Sequence, residues 1–134
     1  VCGAHRIGHG TRVYEDLDLL NYINNHRIPL EICLTSNINT KSISSISKHP
    51  FKHYINERVR VTLNTDNRLI SNTSLSNEYE IAINKFNLNE NEIRTIIING
   101  FKSAFLPHNE RRKLIRKVVD ELENDFDFSK HLVI

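Results

Sequence analysis

The chain has 134 residues, of which 25% are charged and 39% hydrophobic, with a formal net charge of +2. That composition describes a globular chain with enough apolar content for a core, and the length suits one domain or a piece of a larger one. It excludes a membrane-spanning helix, which needs ~20 consecutive apolar residues. It gives no nucleic-acid stripe either, because Lys and Arg are mixed with Asp and Glu.

The opening stretch, Ala4 to Thr11, reads as a short strand that ends in a glycine-flanked turn, with His9 between Gly8 and Gly10. Residues 1–10 carry Gly, His and Arg where a secretory leader would be apolar. Glu15 to His26 places Leu17, Leu20 and Ile23 at helical spacing, with Glu15 and Asp16 suited to the positive end of the helix dipole. Pro29 ends that pattern, and residues 30–34 form a buried strand closed by the turn formers Thr35, Ser36 and Asn37. Ser42 to Ser47 is a polar loop with a helical turn, and Pro50 opens a short helix to Asn56. Arg58 to Leu63 is β-branched and reads as a third strand, running into Asn64, Thr65, Asp66 and Asn67. Three helices follow: Leu75 to Phe86 behind the N-cap Ser74, Asn89 to Phe105, and a last one past Pro107 to about Asn124.

Strands alternating with helices imply parallel pairing through βαβ units. Three strands leave an open sheet edge, which a complete domain normally avoids. The last three strands of a (β/α)8 barrel, a fold of about 250 residues, account for this length. In such folds the ligand site lies at the carboxyl ends of the strands. His9 and Asp66 with Asn67 then face one opening, and Thr35, Ser36 and Asn37 line it. Each group also has a plainer reading. Gly-His-Gly and Thr-Asp-Asn are common turns, and Glu31 either supports the site from behind or points outward. His5, His26, His49, His53, His108 and His131 share no metal-site spacing and read as surface or structural. Cys2 and Cys33 make neither a C-x-x-C pair nor a disulfide framework, which fits a reducing, cytoplasmic setting.

An ordered set of motifs resembles the adenosine deaminase family. The set is Arg6-Ile7-Gly8-His9-Gly10, Leu30-Glu31-Ile32-Cys33 with Ser36-Asn37, His49-Pro50, Val61-Thr62-Leu63-Asn64-Thr65-Asp66, Ser74-Leu75 with Glu78-Tyr79, and Lys102-Ser103-Ala104-Phe105-Leu106. The likeness runs from about residue 4 to residue 120, and residues 1–134 as a whole read as the C-terminal part of that family's domain. The resemblance implies a (β/α)8 barrel with zinc at its mouth, the three strands here being the sixth to the eighth. It implies His9 beside the attacking water, taking up its proton or stabilising developing negative charge. Asp66 is then a zinc ligand, zinc being the metal that brings the pKa of bound water toward ~7. Asn67 stands where some members carry a second aspartate that holds a purine ring nitrogen. An amide donates to that acceptor at any pH, whereas a carboxyl group must first be protonated. Glu31, Ser36 and Asn37 are expected behind these groups.

The reaction so implied is hydrolysis of adenosine, and of deoxyadenosine, to inosine and ammonia in purine salvage. The family's other zinc ligands, a His-x-His pair, and its His-Ala-Gly-Glu segment do not occur in this sequence, so the 134-residue chain alone is expected to be inactive. Three other readings compete: a relative acting on adenine or an aminated futalosine, a non-catalytic truncated product, and a basic helical module binding through Arg111 to Lys117.

Overall fold

A computed structural model describes residues 3–124. Three short strands, β1 (Ile7–Gly8), β2 (Leu30–Ile32) and β3 (Val61–Leu63), form one parallel sheet in the order β1-β2-β3. The register pairs Ile7 with Leu30, Gly8 with Glu31, Leu30 with Val61 and Ile32 with Leu63. Parallel neighbours need crossovers. Helix α1 (Leu17–Asn25) supplies the first, and α2 (Leu34–Asn39) with α3 (Phe51–Asn56) the second. After β3 come the one-turn α4 (Arg68–Ser71), α5 (Leu75–Phe86), α6 (Glu90–Lys102) and α7 (His108–Asn124).

Alternation along the strands sorts the side chains. Leu30, Ile32, Val61 and Leu63 turn to the helices and pack with Ile23, Phe51, Tyr54, Ala82, Phe86, Ile93 and Ile96 in one core. Local chemistry sets the helix starts. Asp16 accepts from Leu19 N to begin α1, and Ser74 accepts from Asn77 N to begin α5. Helix α6 opens with a capping box between Asn89 and Glu92. The same Glu92 carboxylate takes Lys52 Nζ at 2.7 Å, which ties α6 to α3. On β3, the carbonyl of Val61 accepts from the buried side chain of Asn99 on α6.

Three expectations need correcting. Thr35, Ser36 and Asn37 are not a turn but part of α2, which starts directly after β2. The third strand starts at Val61 rather than Arg58, because the N–H groups of Arg58 and Val59 are spent on Ile55 O and Tyr54 O to close α3. Asn67 caps a helical turn, α4, which the sequence had not signalled. Among the described residues no helix is long and apolar enough to cross a membrane.

Candidate active site

The carboxyl end of the sheet is built from two unusual backbone positions. Among the described residues, seven non-glycine residues have positive φ. Five of them, Arg27, Lys41, Arg58, Asn72 and Asn87, close helices, where a left-handed residue is the common way to end. The other two, His9 (φ 61°) and Asp66 (φ 52°), follow strands β1 and β3. A left-handed side-chain-bearing residue costs roughly 1–2 kcal/mol, so its occurrence at both outer strand ends marks the site.

Each is held from several sides. His9 N donates to Glu31 O at 2.8 Å, extending the β1–β2 ladder by one residue. Gly10 follows with φ 61°, where an added Cβ would lie 2.8 Å from Leu30 Cδ2. Tyr54, fully buried on α3, donates its hydroxyl to Gly10 O at 2.7 Å and accepts from Tyr14 N at 3.2 Å. Burial pushes the Tyr54 phenol up to about 12, so the donor stays protonated.

Helix α2 connects the two ends. Ser36 Oγ donates to Asp66 Oδ2 at 2.7 Å. Asn37, 2% exposed, bonds His9 Nδ1 through its Nδ2 at 2.9 Å and His49 Nε2 through its Oδ1 at 3.0 Å. His49 Nδ1 accepts from Phe51 N at 3.1 Å. Across the opening, His9 Nε2 lies 3.9 Å from Asp66 Oδ2, too long for a hydrogen bond, with the side chains 43% and 45% exposed. The pair is therefore half exposed on one side and hydrogen-bonded to the buried side chains of α2 on the other.

The remaining expected residues divide. Asn67 Oδ1 accepts from Leu69 N and Ile70 N as the N-cap of α4, which fixes the amide plane and leaves Nδ2 as its donor. The Glu31 carboxylate turns to the other end of the sheet and pairs with Arg6 at 3.0 Å; only its main-chain oxygen reaches His9. Thr35 does not offer its hydroxyl to the opening: the Oγ1 atom is buried without a hydrogen-bond partner among the described residues. His131 and Cys2 lie outside the described residues.

The structure adds three residues that the sequence did not single out for the site. His49 is buried and structural, as expected, but its bond goes to the site residue Asn37. Tyr54 fixes the loop after His9. Glu78, 0% exposed on α5, accepts from Thr73 Oγ1 at 2.9 Å and Thr35 N at 3.3 Å and so holds the first turn of α2. The one signal available for His49 and Glu78 was their place in the ordered motif set. Cys33, beside the site, has its thiol pushed up to about 12, first by burial and then by the charges of Asp66 and Glu78, which leaves it protonated and unreactive.

A metal fits this site in part. Asp66 is an exposed carboxylate with one oxygen already oriented by Ser36, suitable as a single ligand. A catalytic zinc takes three protein ligands, and no group of three His, Cys, Asp or Glu side chains among the described residues is arranged to hold one.

Comparison with known proteins follows the same outline. The family described as adenosine deaminase matches residues 1–121. An adenosine deaminase of Clostridium kluyveri is 38% identical over 122 residues, covering 91% of this chain and 35% of that protein. The apo structure of the N6-methyl-AMP deaminase from Arabidopsis thaliana superposes with a TM-score of 0.78 at 34% identity, over 91% of this chain and 35% of the other. The structure of an adenine deaminase from Arthrobacter aurescens gives 0.82 at 22% identity, over 90% and 37%, a likeness of fold alone. The chain thus spans about a third of the length of the relatives it matches.

Proposed function

The chain belongs to the adenosine deaminase family, and on that premise we propose that it is the C-terminal part of a zinc-dependent (β/α)8-barrel hydrolase that converts adenosine to inosine and ammonia. The observation that carries the reading is the meeting of His9 and Asp66 at the carboxyl ends of β1 and β3, both left-handed and both braced by α2. Three parallel strands with α-helical crossovers are what three consecutive units of such a barrel contain. Cytoplasmic recovery of purines is the setting that such a reaction serves.

Asp66 would hold the metal, its free lone pairs facing the opening while Ser36 fixes the carboxylate plane. Zinc, when bound, supplies an activated water near neutral pH. His9 stands at hydrogen-bonding reach of an oxygen placed beside Asp66. The Asn67 Nδ2 donor, its partner oxygen spent on the α4 cap, suits a purine ring nitrogen. Both residues stand at the rim, where a planar base can enter edge-on.

The substrate reading is tested in the full-length enzyme with a panel of adenosine, deoxyadenosine, adenine and N6-methyl-AMP, following ammonia or methylamine release. Adenosine is expected to give the highest kcat/KM. A preference for adenine or for the methylated nucleotide would move the assignment to a neighbouring member of the same chemistry; the methylated nucleotide is the second reading, favoured by the 34% identity to an N6-methyl-AMP deaminase. Asp66→Ala is expected to cost more than the roughly 10²–10³-fold lost on removing one positioned donor, and full activity in that variant would end the site assignment. The 134-residue chain by itself is expected to release no ammonia from adenosine.

A further inference from the structure

The hydrogen bonds behind His9 have a fixed direction. A backbone N–H only donates, so the bond from Phe51 N makes His49 Nδ1 an acceptor. Burial holds the His49 pKa down to about 4, so the ring is neutral and carries its one proton on Nε2. That N–H donates to Asn37 Oδ1 at 3.0 Å, which turns the amide nitrogen toward His9. Asn37 Nδ2 therefore donates to His9 Nδ1 at 2.9 Å. Rotating the Asn37 amide by half a turn would set donor against donor at His49.

We infer that this chain, Phe51 N–H to His49 to Asn37 to His9, fixes neutral His9 as the tautomer with its proton on Nε2. His9 then meets the reacting oxygen as a hydrogen-bond donor and not as a proton acceptor. The inference rests on the reading of His9 and Asp66 as the reaction centre. It decides between the two roles open to His9: it stabilises negative charge on the attacking oxygen and does not collect the proton of the water in the resting enzyme. Asn37 and His49 are positioning residues, acting through His9 from a buried layer that the substrate does not touch.

The test uses the full-length enzyme carrying this segment, labelled with imidazole-¹⁵N histidine. Spectra are recorded near pH 8, above the ordinary histidine range of about 6.5. Long-range ¹H–¹⁵N correlations distinguish a protonated from a bare ring nitrogen, and this readout does not depend on activity. In the unaltered protein His9 Nδ1 should be bare and Nε2 protonated. Asn37→Asp offers two acceptors in place of one acceptor and one donor, so the His9 proton should move to Nδ1. In that variant kcat should fall roughly 10²-fold, the scale for losing one positioned donor, with KM within about twofold. His49→Gln, whose amide can still donate to Asn37, should keep the original His9 pattern, whereas His49→Leu should give a mixture of tautomers. A protonated Nδ1 in the unaltered protein, or an unchanged pattern in Asn37→Asp, would overturn the inference. Full kcat in His9→Ala would overturn the reading of the site, and the donor role with it, while the ¹⁵N pattern of the unaltered protein would still report the hydrogen-bond chain by itself.

Discussion

The two ends of this sheet handle polar groups in opposite ways. At the amino end one ion pair stands among further cations: Arg6 pairs with Glu31 at 3.0 Å and lies over the Phe105 ring at 3.6 Å, while Arg60 has Arg27 and Arg111 as charged neighbours and a buried Nε without a hydrogen-bond partner among the described residues. The left-handed residues there, Arg27 and Arg58, close α1 and α3 ahead of β2 and β3. At the carboxyl end the polar groups are mostly neutral, bonded in a directed series, and carried on two left-handed residues that leave His9 and Asp66 facing solvent. An ion pair stabilises without imposing a direction on either partner, while a chain of amide and imidazole bonds imposes a direction on each member. The first arrangement serves stability, and the second orients atoms for chemistry at some cost in backbone strain.

The sharpest way to strain this comparison is pH. The His49 pKa stands at about 4 in the folded protein, against 6.5 for a free histidine. The unfolded chain therefore takes up a proton that the folded chain refuses. This contribution to stability is complete above pH 6.5 and is lost as pH falls from 6.5 toward 4, by roughly 3 kcal/mol in all. Unfolding free energies from urea titrations at pH 7 and pH 4.5 should diverge by about 2 kcal/mol of that between the unaltered protein and His49→Gln, in which this component is absent. Equal pH dependence would show that the buried layer is open to water.

Next in size is Gly10→Ala. The new Cβ meets the core side chain of Leu30 and sits at a left-handed φ, so a destabilisation of about 2–3 kcal/mol is expected, read as a shifted melting curve. At the amino end, Arg6→Met keeps the length of the side chain and removes the ion pair and the stacking. The pair is about one-third exposed, so stability should fall by only about 1 kcal/mol, with kcat unchanged. A large loss of kcat would mean that the two ends are coupled. The smallest effect on stability is expected from Asn67→Asp, which keeps the α4 cap and removes the Nδ2 donor. Substrate affinity at pH 8 should fall about tenfold, the value of one hydrogen bond, with stability within about 0.5 kcal/mol; unchanged affinity across pH in both Asn67→Asp and Asn67→Ala would remove Asn67 from the purine contact.

The places of His9 and Asp66 at strand ends were legible for different reasons: His9 stands between two glycines after a short strand, and Asp66 follows the β-branched run to Leu63 among turn formers. Helix α5 was legible to the residue, since Ser74 caps it locally and Ala82 and Phe86 fall on one face. Helix α2 was not. Thr35, Ser36 and Asn37 favour turns in isolation, and they are helical here because Glu78, His49, His9 and Asp66 satisfy them from other elements. His49 was illegible as a site residue for the same reason: its partner Asn37 sits at no periodic spacing from it, and only the fold makes them neighbours. The length of β3 was overestimated because β-branched residues signal a strand equally well where the backbone is closing a helix.

Helix α3 holds the His9 imidazole twice. Its Tyr54 hydroxyl grips the carbonyl one residue after His9, and its first N–H, at Phe51, orients the series that ends on the ring. A displacement of these six residues would therefore carry the ring's location and its protonated face together, as correlated errors rather than separate ones. A substitution on the outer side of α3, remote from any ligand, would then register as catalytic loss without any visible defect at the rim.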